Sequence, residues 1–307
     1  MMFEIKRGIC YSGYRKYQSP KLDKFPSDEE VLQDLKILCT FTDYIRLFDT
    51  SYHCDQVLRI IEENNLPLKV MIGVEPQGEI DNPNCHFGSG IGRHSKNSIN
   101  EHKKTNYKLL DKMLNYSKKY SKIVLALSIG NENTSDWHPN LISEESLIAH
   151  AKYVKSKTKK PITFCEGPYY WLRNTKLGNV VDFISIQSYP QWRKVPIDEA
   201  FIETVRDYES VKKKFKDKMV IFTEFGWTTN TTNIMLDEAS EENQNYYLNQ
   251  IYSWSNSKKI QMFLFEAFDE SWKGSLNKNE PEKHWGIYKE NRKPKLWMRG
   301  SNNLKNF

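Results

Sequence analysis

The sequence predicts an eight-stranded α/β barrel, and three observations predict it. Eight short apolar runs alternate with stretches of helical periodicity, at intervals of roughly 20 to 40 residues. Strands that alternate with helices pair in parallel, and eight such units close into a (β/α)8 TIM barrel. Two of the runs end abruptly in a glutamate, in Ile129-Gly-Asn-Glu132 and again in Phe222-Thr-Glu224. A doubly wound sheet would instead want a G-x-G-x-x-G turn after its first strand, and none follows this one. Residues 1–307 read as a single barrel domain, without a linker or low-complexity segment.

Taken in order, the first strand candidate is Ile5–Tyr11, followed by a loop through Gly13 and Pro20. Ser27-Asp-Glu-Glu30 is a capping box that opens a helix with Val31, Leu35 and Leu38 on one face. Strand two is Tyr44–Phe48, and a helix carrying Val57, Leu58 and Ile61 leads to strand three, Leu68–Val74. From Glu75 to about Lys104 runs an irregular stretch rich in Asn, Gly, Ser and His, long enough to be functional or to hide a short helix. Leu109, Leu110, Met113 and Leu114 mark the next helix, and Ile123–Glu132 is strand four. A helix over about Ser143–Lys157 precedes strand five, Ile162–Glu166, and strand six is Phe183–Tyr189. Ala200, Phe201, Val205 and Tyr208 mark a helix before strand seven at Met219. Ser240-Glu-Glu-Asn opens the last long helix before strand eight, Ile260–Phe268.

Composition narrows the function classes. Hydrophobic residues make up 38% of the chain and charged ones 27%, enough apolar material for a sizeable core. No run approaches the roughly 20 apolar residues of a membrane span. The net charge of +6 is spread over helix-like stretches such as Lys155–Lys160 and Lys212–Lys218, which argues for solubility and against a nucleic-acid face. Five scattered cysteines have no C-x-x-C spacing and read as free thiols. Seven histidines show no metal-ligand spacing, so no metal is expected. The opening Met1–Arg7 has no apolar centre, which divides the expectation between a cytoplasmic protein and a secreted or periplasmic one whose leader has been removed. A monomer is expected.

The chemistry is expected at the carboxyl ends of the strands, where barrels of this kind carry function. Strands four and seven lie on opposite sides of the ring, so Glu132 and Glu224 face each other across the cleft. Two carboxylates so placed cleave a glycosidic bond: one protonates the leaving oxygen, and the other attacks the sugar or activates water. Asn131 is suited to bond the sugar 2-hydroxyl. Glu75 and Glu166 also end strands and divide evenly between cleft roles and simple ion pairing. Aromatic residues gather at the same ends: Tyr11, Tyr14, Phe48, Tyr169, Tyr170, Trp171, Tyr189, Trp192, Trp227 and Trp272. As a group they suit the apolar faces of sugar rings, with Trp227 and Tyr189 favoured.

These residues resemble a known family. Gly8-Ile-Cys-Tyr11, Ile45-Arg-Leu-Phe48, Ile129-Gly-Asn-Glu132, Ser188-Tyr-Pro190, Phe222-Thr-Glu-Phe-Gly-Trp227, Phe265-Glu-Ala-Phe-Asp-Glu-Ser-Trp-Lys273 and Glu282-Lys-His-Trp-Gly-Ile-Tyr288 follow in order the landmarks of glycoside hydrolase family seventeen. The resemblance implies a retaining enzyme on β-1,3-glucans such as laminarin, with Glu132 as acid/base, Glu224 as nucleophile and no cofactor. It implies that Glu270, Lys273 and Glu282 form a supporting polar group near the cleft. Tyr11, Asn131, Tyr189 and Trp227 match glucan-contacting positions. Phe225 and Thr228 depart from the plant members, and Phe48 stands where many members have Tyr. The Phe265–Lys273 wording looks more like the fungal and bacterial branches, which include glucanosyltransferases as well as hydrolases. Endo action is expected over exo action. Transfer to a second sugar, a catalytically silent glucan-binding barrel and hydrolysis of β-1,4-linked glucan are the alternatives.

Overall fold

The computed structural model describes residues 4–83, 85, 91–174, 176–232 and 238–300. Eight strands close into a barrel in chain order, every neighbouring pair parallel: β1 Arg7–Cys10, β2 Tyr44–Leu47, β3 Lys69–Gly73, β4 Val124–Asn131, β5 Ile162–Glu166, β6 Ile184–Ser188, β7 Val220–Phe225 and β8 Met262–Leu264. All eight predicted strands are present, most of them shorter at one or both ends than the apolar runs suggest. Hydrogen bonding stops where the chain curls out of the barrel, while apolar packing continues.

The helices wrap the outside: α1 Asp28–Cys39, α2 Tyr52–Glu63, α3 Lys96–Lys119, α4 Glu144–Lys157, α5 Pro168–Arg173, α6 Lys176–Val180, α7 Ile197–Lys214, α8 Glu241–Lys258 and α9 Leu296–Arg299. Local chemistry starts them where expected. The Ser27 hydroxyl accepts from Glu30 N while Glu30 reaches back to Ser27 N, so both arms of the capping box form. Ser95, Ser143 and Ser240 cap α3, α4 and α8 in the same way from the hydroxyl side. The end of the Glu75–Lys104 stretch is the opening of the 24-residue α3. Its residues 84 and 86–90 lie outside the described residues, as does His86. The short helices α5 and α6 carry too little periodicity to be read from sequence.

Strand alternation divides the core in two. Ile9, Ile45, Val70, Ile72, Leu127, Ile162, Ile184 and Ile186 point outward against the helices. Cys10, Tyr44, Met71, Ala126, Cys165, Phe183, Ile221 and Phe263 fill the barrel interior. Three register shifts break this alternation, one between Val70 and Met71 against β4 and two that each precede a glutamate. Between Ser128 and Asn131 the fourth strand holds one residue more than its partner, and between Ile186 and Gln187 the seventh strand gains one in the same way. One extra residue reverses which face a side chain takes. The two shifts before the glutamates therefore turn Asn131 and Glu224 inward over the filled core.

Candidate active site

Glu224 sits at the top of β7 and is 4% exposed. Three donors, from β2, from β6 and from the residue that follows β6, converge on its carboxylate. Arg46 of β2 forms a buried ion pair with Oε1 through Nη1, Gln187 of β6 donates to Oε1 at 2.6 Å, and the Tyr189 hydroxyl donates to Oε2 at 2.5 Å. Charge-assisted bonds of this kind are short and directional, and they fix the carboxylate plane. Arg46 itself is 2% exposed, with the Phe48 ring 4.4 Å from its guanidinium carbon. Its other arm donates to Asn131 Oδ1 at 2.6 Å, and Gln187 donates to that same oxygen at 2.8 Å.

Glu132 follows β4 in the left-handed conformation, φ 56°, a costly region for a residue with a side chain. The local sequence holds it there. Asn133 Oδ1 accepts from Asn131 N at 2.8 Å, and Glu132 N donates to Cys165 O at 2.9 Å. Gly130 is required beside this turn, because a Cβ there would lie 2.6 Å from Asn133 Oδ1. Burial, followed by the charges of Glu224, Glu166 and Glu282, holds the Glu132 carboxyl well above the usual carboxylate range. Thr134 N and both the Thr134 and Ser135 hydroxyls bond to Glu166, which keeps that third carboxylate in place beside it.

Of the expected supporting residues, Lys273 and Glu270 are ion-paired. Lys273 bridges Glu266 and Glu270, at 2.8 Å from the latter. Burial alone would lower its pKa, but those two carboxylates reverse the effect and keep it protonated. Glu282 is pushed up to about 7 by burial, against the pull of Lys273. Glu270 is wholly buried and also accepts from Ser12 Oγ at 2.5 Å and Tyr14 N at 2.8 Å, so it braces the β1 loop.

Two expected sugar contacts are corrected. Trp227 is wholly buried, with its ring against Tyr247 and its Nε1 donating to Glu238 O. Beyond the β7 bulge its side chain faces the helical layer and has no free face to offer. Tyr11 is 1% exposed, and its hydroxyl donates to Asp34, which is held in turn by Arg15 and Arg292. Both are core residues. Tyr189 is half-buried and serves through its hydroxyl, its ring 5.0 Å from Trp285 and 5.9 Å from Phe265. Trp192 lies beside Trp285 at 6.3 Å and is 39% exposed, so the open aromatic surface of this wall is there. Glu75 is exposed at the end of β3, 3.6 Å from His138.

Sequence reasoning did not single out Arg46, Gln187 or Glu266. The available signal was a charged or amide side chain inside an otherwise apolar strand, which is costly unless satisfied. Among the described residues no group of His, Cys, Asp and Glu is arranged to hold a metal, and no helix is long and apolar enough to cross a membrane. A surface hollow lined by Lys118, Lys157, Lys159 and Lys160 lies at the other end of the barrel, where α3 and α4 end. Lysines at helix C-termini answer the helix dipole.

Residues 8–286 match the BtgE/BtgC glycoside hydrolase domain. The chain belongs to this family. A probable glucan endo-1,3-beta-glucosidase, btgC, of Aspergillus clavatus is 26% identical over 302 residues, which covers 89% of this chain and 40% of that protein. Its counterpart in Aspergillus terreus is 27% identical over 297 residues, covering 88% of this chain and 42% of that protein. The chain thus spans about two fifths of the curated relatives it matches. An endo-laminarinase from Formosa Hel1_33_131 shares the fold with a TM-score of 0.78 at 22% identity, over 95% of this chain and 85% of that one. A glycoside hydrolase family 17 β-1,3-glucanosyltransferase from Rhizomucor miehei superposes with a TM-score of 0.73 at 21% identity, over 94% and 95% of the two chains.

Proposed function

We propose that this BtgE/BtgC-family barrel is a retaining glycoside hydrolase that cleaves β-1,3-glucosidic bonds in laminarin-type glucan. The observation that carries the reading is the contrast between its two facing carboxyl groups. Among the described residues the hydrogen-bond partners of the Glu224 carboxylate are all donors, which suits an ionised nucleophile, whereas Glu132 is held by burial and neighbouring negative charge as a carboxyl that keeps its proton. Glu224 attacks the anomeric carbon while Glu132 protonates the departing glycosidic oxygen, which leaves a glycosyl ester on Glu224. Glu132, now a carboxylate, takes a proton from water as the water attacks that ester, and both carboxyl groups return to their starting states.

Asn131 presents its amide nitrogen to the sugar, since its oxygen already holds two donors. A bond from that nitrogen to the 2-hydroxyl would strengthen as charge develops at the anomeric centre. Glu282 lies close enough to both Lys273 and Glu224 for their charges to act on it. The substrate class rests on the family and on its glucanase relatives. The glucanosyltransferase neighbour keeps a second reading in play, in which a sugar hydroxyl replaces water in the second half of the reaction.

The test is a product time course on laminarin and on a defined β-1,3-oligosaccharide, wild type beside Glu224→Gln. A spread of oligosaccharide sizes that vanishes in the variant supports an endo-hydrolase, and chains longer than the starting material support transfer. Wild-type turnover by Glu224→Gln would refute the assignment of the nucleophile.

A further inference from the structure

Four side chains from four strands, Glu224 among them, close a ring of hydrogen bonds. Arg46 bonds both Glu224 Oε1 and Asn131 Oδ1 from one side, and Gln187 bonds the same two oxygens from the other. Gln187 is 3% exposed, and its single amino group supplies one N–H to each acceptor. The opposite amide orientation would set its oxygen against two acceptors, so the partners fix its direction. In that direction its own Oε1 has no hydrogen-bond donor among the described residues. A buried acceptor without a donor weakens a fold, so the residue is poorly explained by stability.

From this ring we infer that Gln187 is a positioning residue for the proposed reaction, locking the nucleophile and the 2-hydroxyl contact into one geometry. The inference rests on the reading of Glu224 as nucleophile. Oε1 of Glu224 takes both Arg46 and Gln187, while among the described residues Oε2 takes only Tyr189, which leaves Oε2 as the attacking oxygen. Gln187 keeps the carboxylate from rotating and so keeps Oε2 turned to the cleft. Through its second N–H it holds the Asn131 oxygen down, which leaves the Asn131 nitrogen facing the sugar. A neutral donor does this without adding a second cation to the Arg46–Glu224 pair.

Gln187→Met removes both bonds and the unpaired oxygen at nearly constant volume. Gln187→Glu puts a carboxylate against Glu224, where two carboxyl groups in contact must share a proton. The experiment compares wild type, both variants and Glu224→Gln on laminarin by kcat, KM, pH profile and melting temperature. Gln187→Met is expected to lose about 100-fold in kcat, the scale of a misplaced reacting group, with KM within about threefold and a melting temperature equal to or above wild type. Gln187→Glu is expected to move the acid limb of kcat/KM upward by about one unit or more. Wild-type kcat in Gln187→Met, an unmoved acid limb in Gln187→Glu, or activity lost only in step with melting temperature would each overturn the inference. If Glu224→Gln is inactive while Gln187→Met is unimpaired, only the role of Gln187 falls. Wild-type turnover in Glu224→Gln removes the proposed function and this inference together.

Discussion

Arg46→Met is the perturbation with the largest worked consequence. Arg46 is nearly inaccessible and bonds Glu224, Asn131 and, at 3.2 Å, the carbonyl of Thr223. Methionine fills much of the same space but leaves Glu224 as a buried carboxylate without its cation. Breaking a buried pair from one side costs about 3–5 kcal/mol. At roughly 2 °C per kcal/mol for a chain of this size, the melting temperature at pH 7 should fall by roughly 6–10 °C. Replacing Glu224 by Gln in the same chain should restore most of the stability, since no charge is left unpaired. Thermal melts of wild type, both single variants and the double variant at pH 7 measure all of this. A melting temperature of Arg46→Met within about 2 °C of wild type, or a double variant no more stable than Arg46→Met, would refute the account of this pair. The kcat of Arg46→Met should fall by about 100-fold or more, because Glu224, the proposed nucleophile, loses its one cationic hydrogen-bond partner among the described residues.

Other expectations follow from the same geometry. Glu132→Gln should be more stable than wild type at pH 8 and indistinguishable from it below pH 4. The folded carboxyl has a raised pKa, so its stability cost appears as pH climbs past the unfolded value of about 4.3 and is absent below it; melts across that range check the sign. Glu282→Gln should shift the basic limb of kcat/KM to lower pH, since it removes one of the charges that hold the proton on Glu132. Trp192→Ala should raise KM on long glucans with little change in kcat, as an open ring at the rim binds chain rather than reacts. Trp227→Ala should lower stability by about 3–5 kcal/mol as a core truncation, measured by denaturant unfolding.

The parts of this molecule that obey periodic rules were readable in the sequence. The eight apolar runs mark eight strands, and Ser27 and Ser240 cap the helices whose starts they announce. The two carboxylates were readable because each ends a buried strand. What alternation cannot convey is a change of phase. One extra residue in β4 and one in β7 turn Asn131 and Glu224 inward, and nothing in a single sequence marks where those residues fall. The same geometry leaves Trp227 buried, although it stands three residues beyond Glu224 in the motif. Arg46 and Gln187 were present as polar intrusions in apolar runs, but their partners lie 178 and 37 residues away. Pairings that distant need the closed ring of strands before they can be seen.

The central claim is that Glu224 forms the bond to sugar and Glu132 moves the proton. Azide rescue tests it most directly, with an activated β-glucoside of laminaribiose as substrate so that departure of the aglycone needs no acid. In Glu224→Gly, azide should take the place of the missing carboxylate and displace the aglycone in one inversion, giving the α-glycosyl azide. In Glu132→Ala, azide should intercept the ester on Glu224 and give the β-glycosyl azide. Those opposite products are what the account predicts; the same anomer from both variants, or the two anomers exchanged, would contradict it.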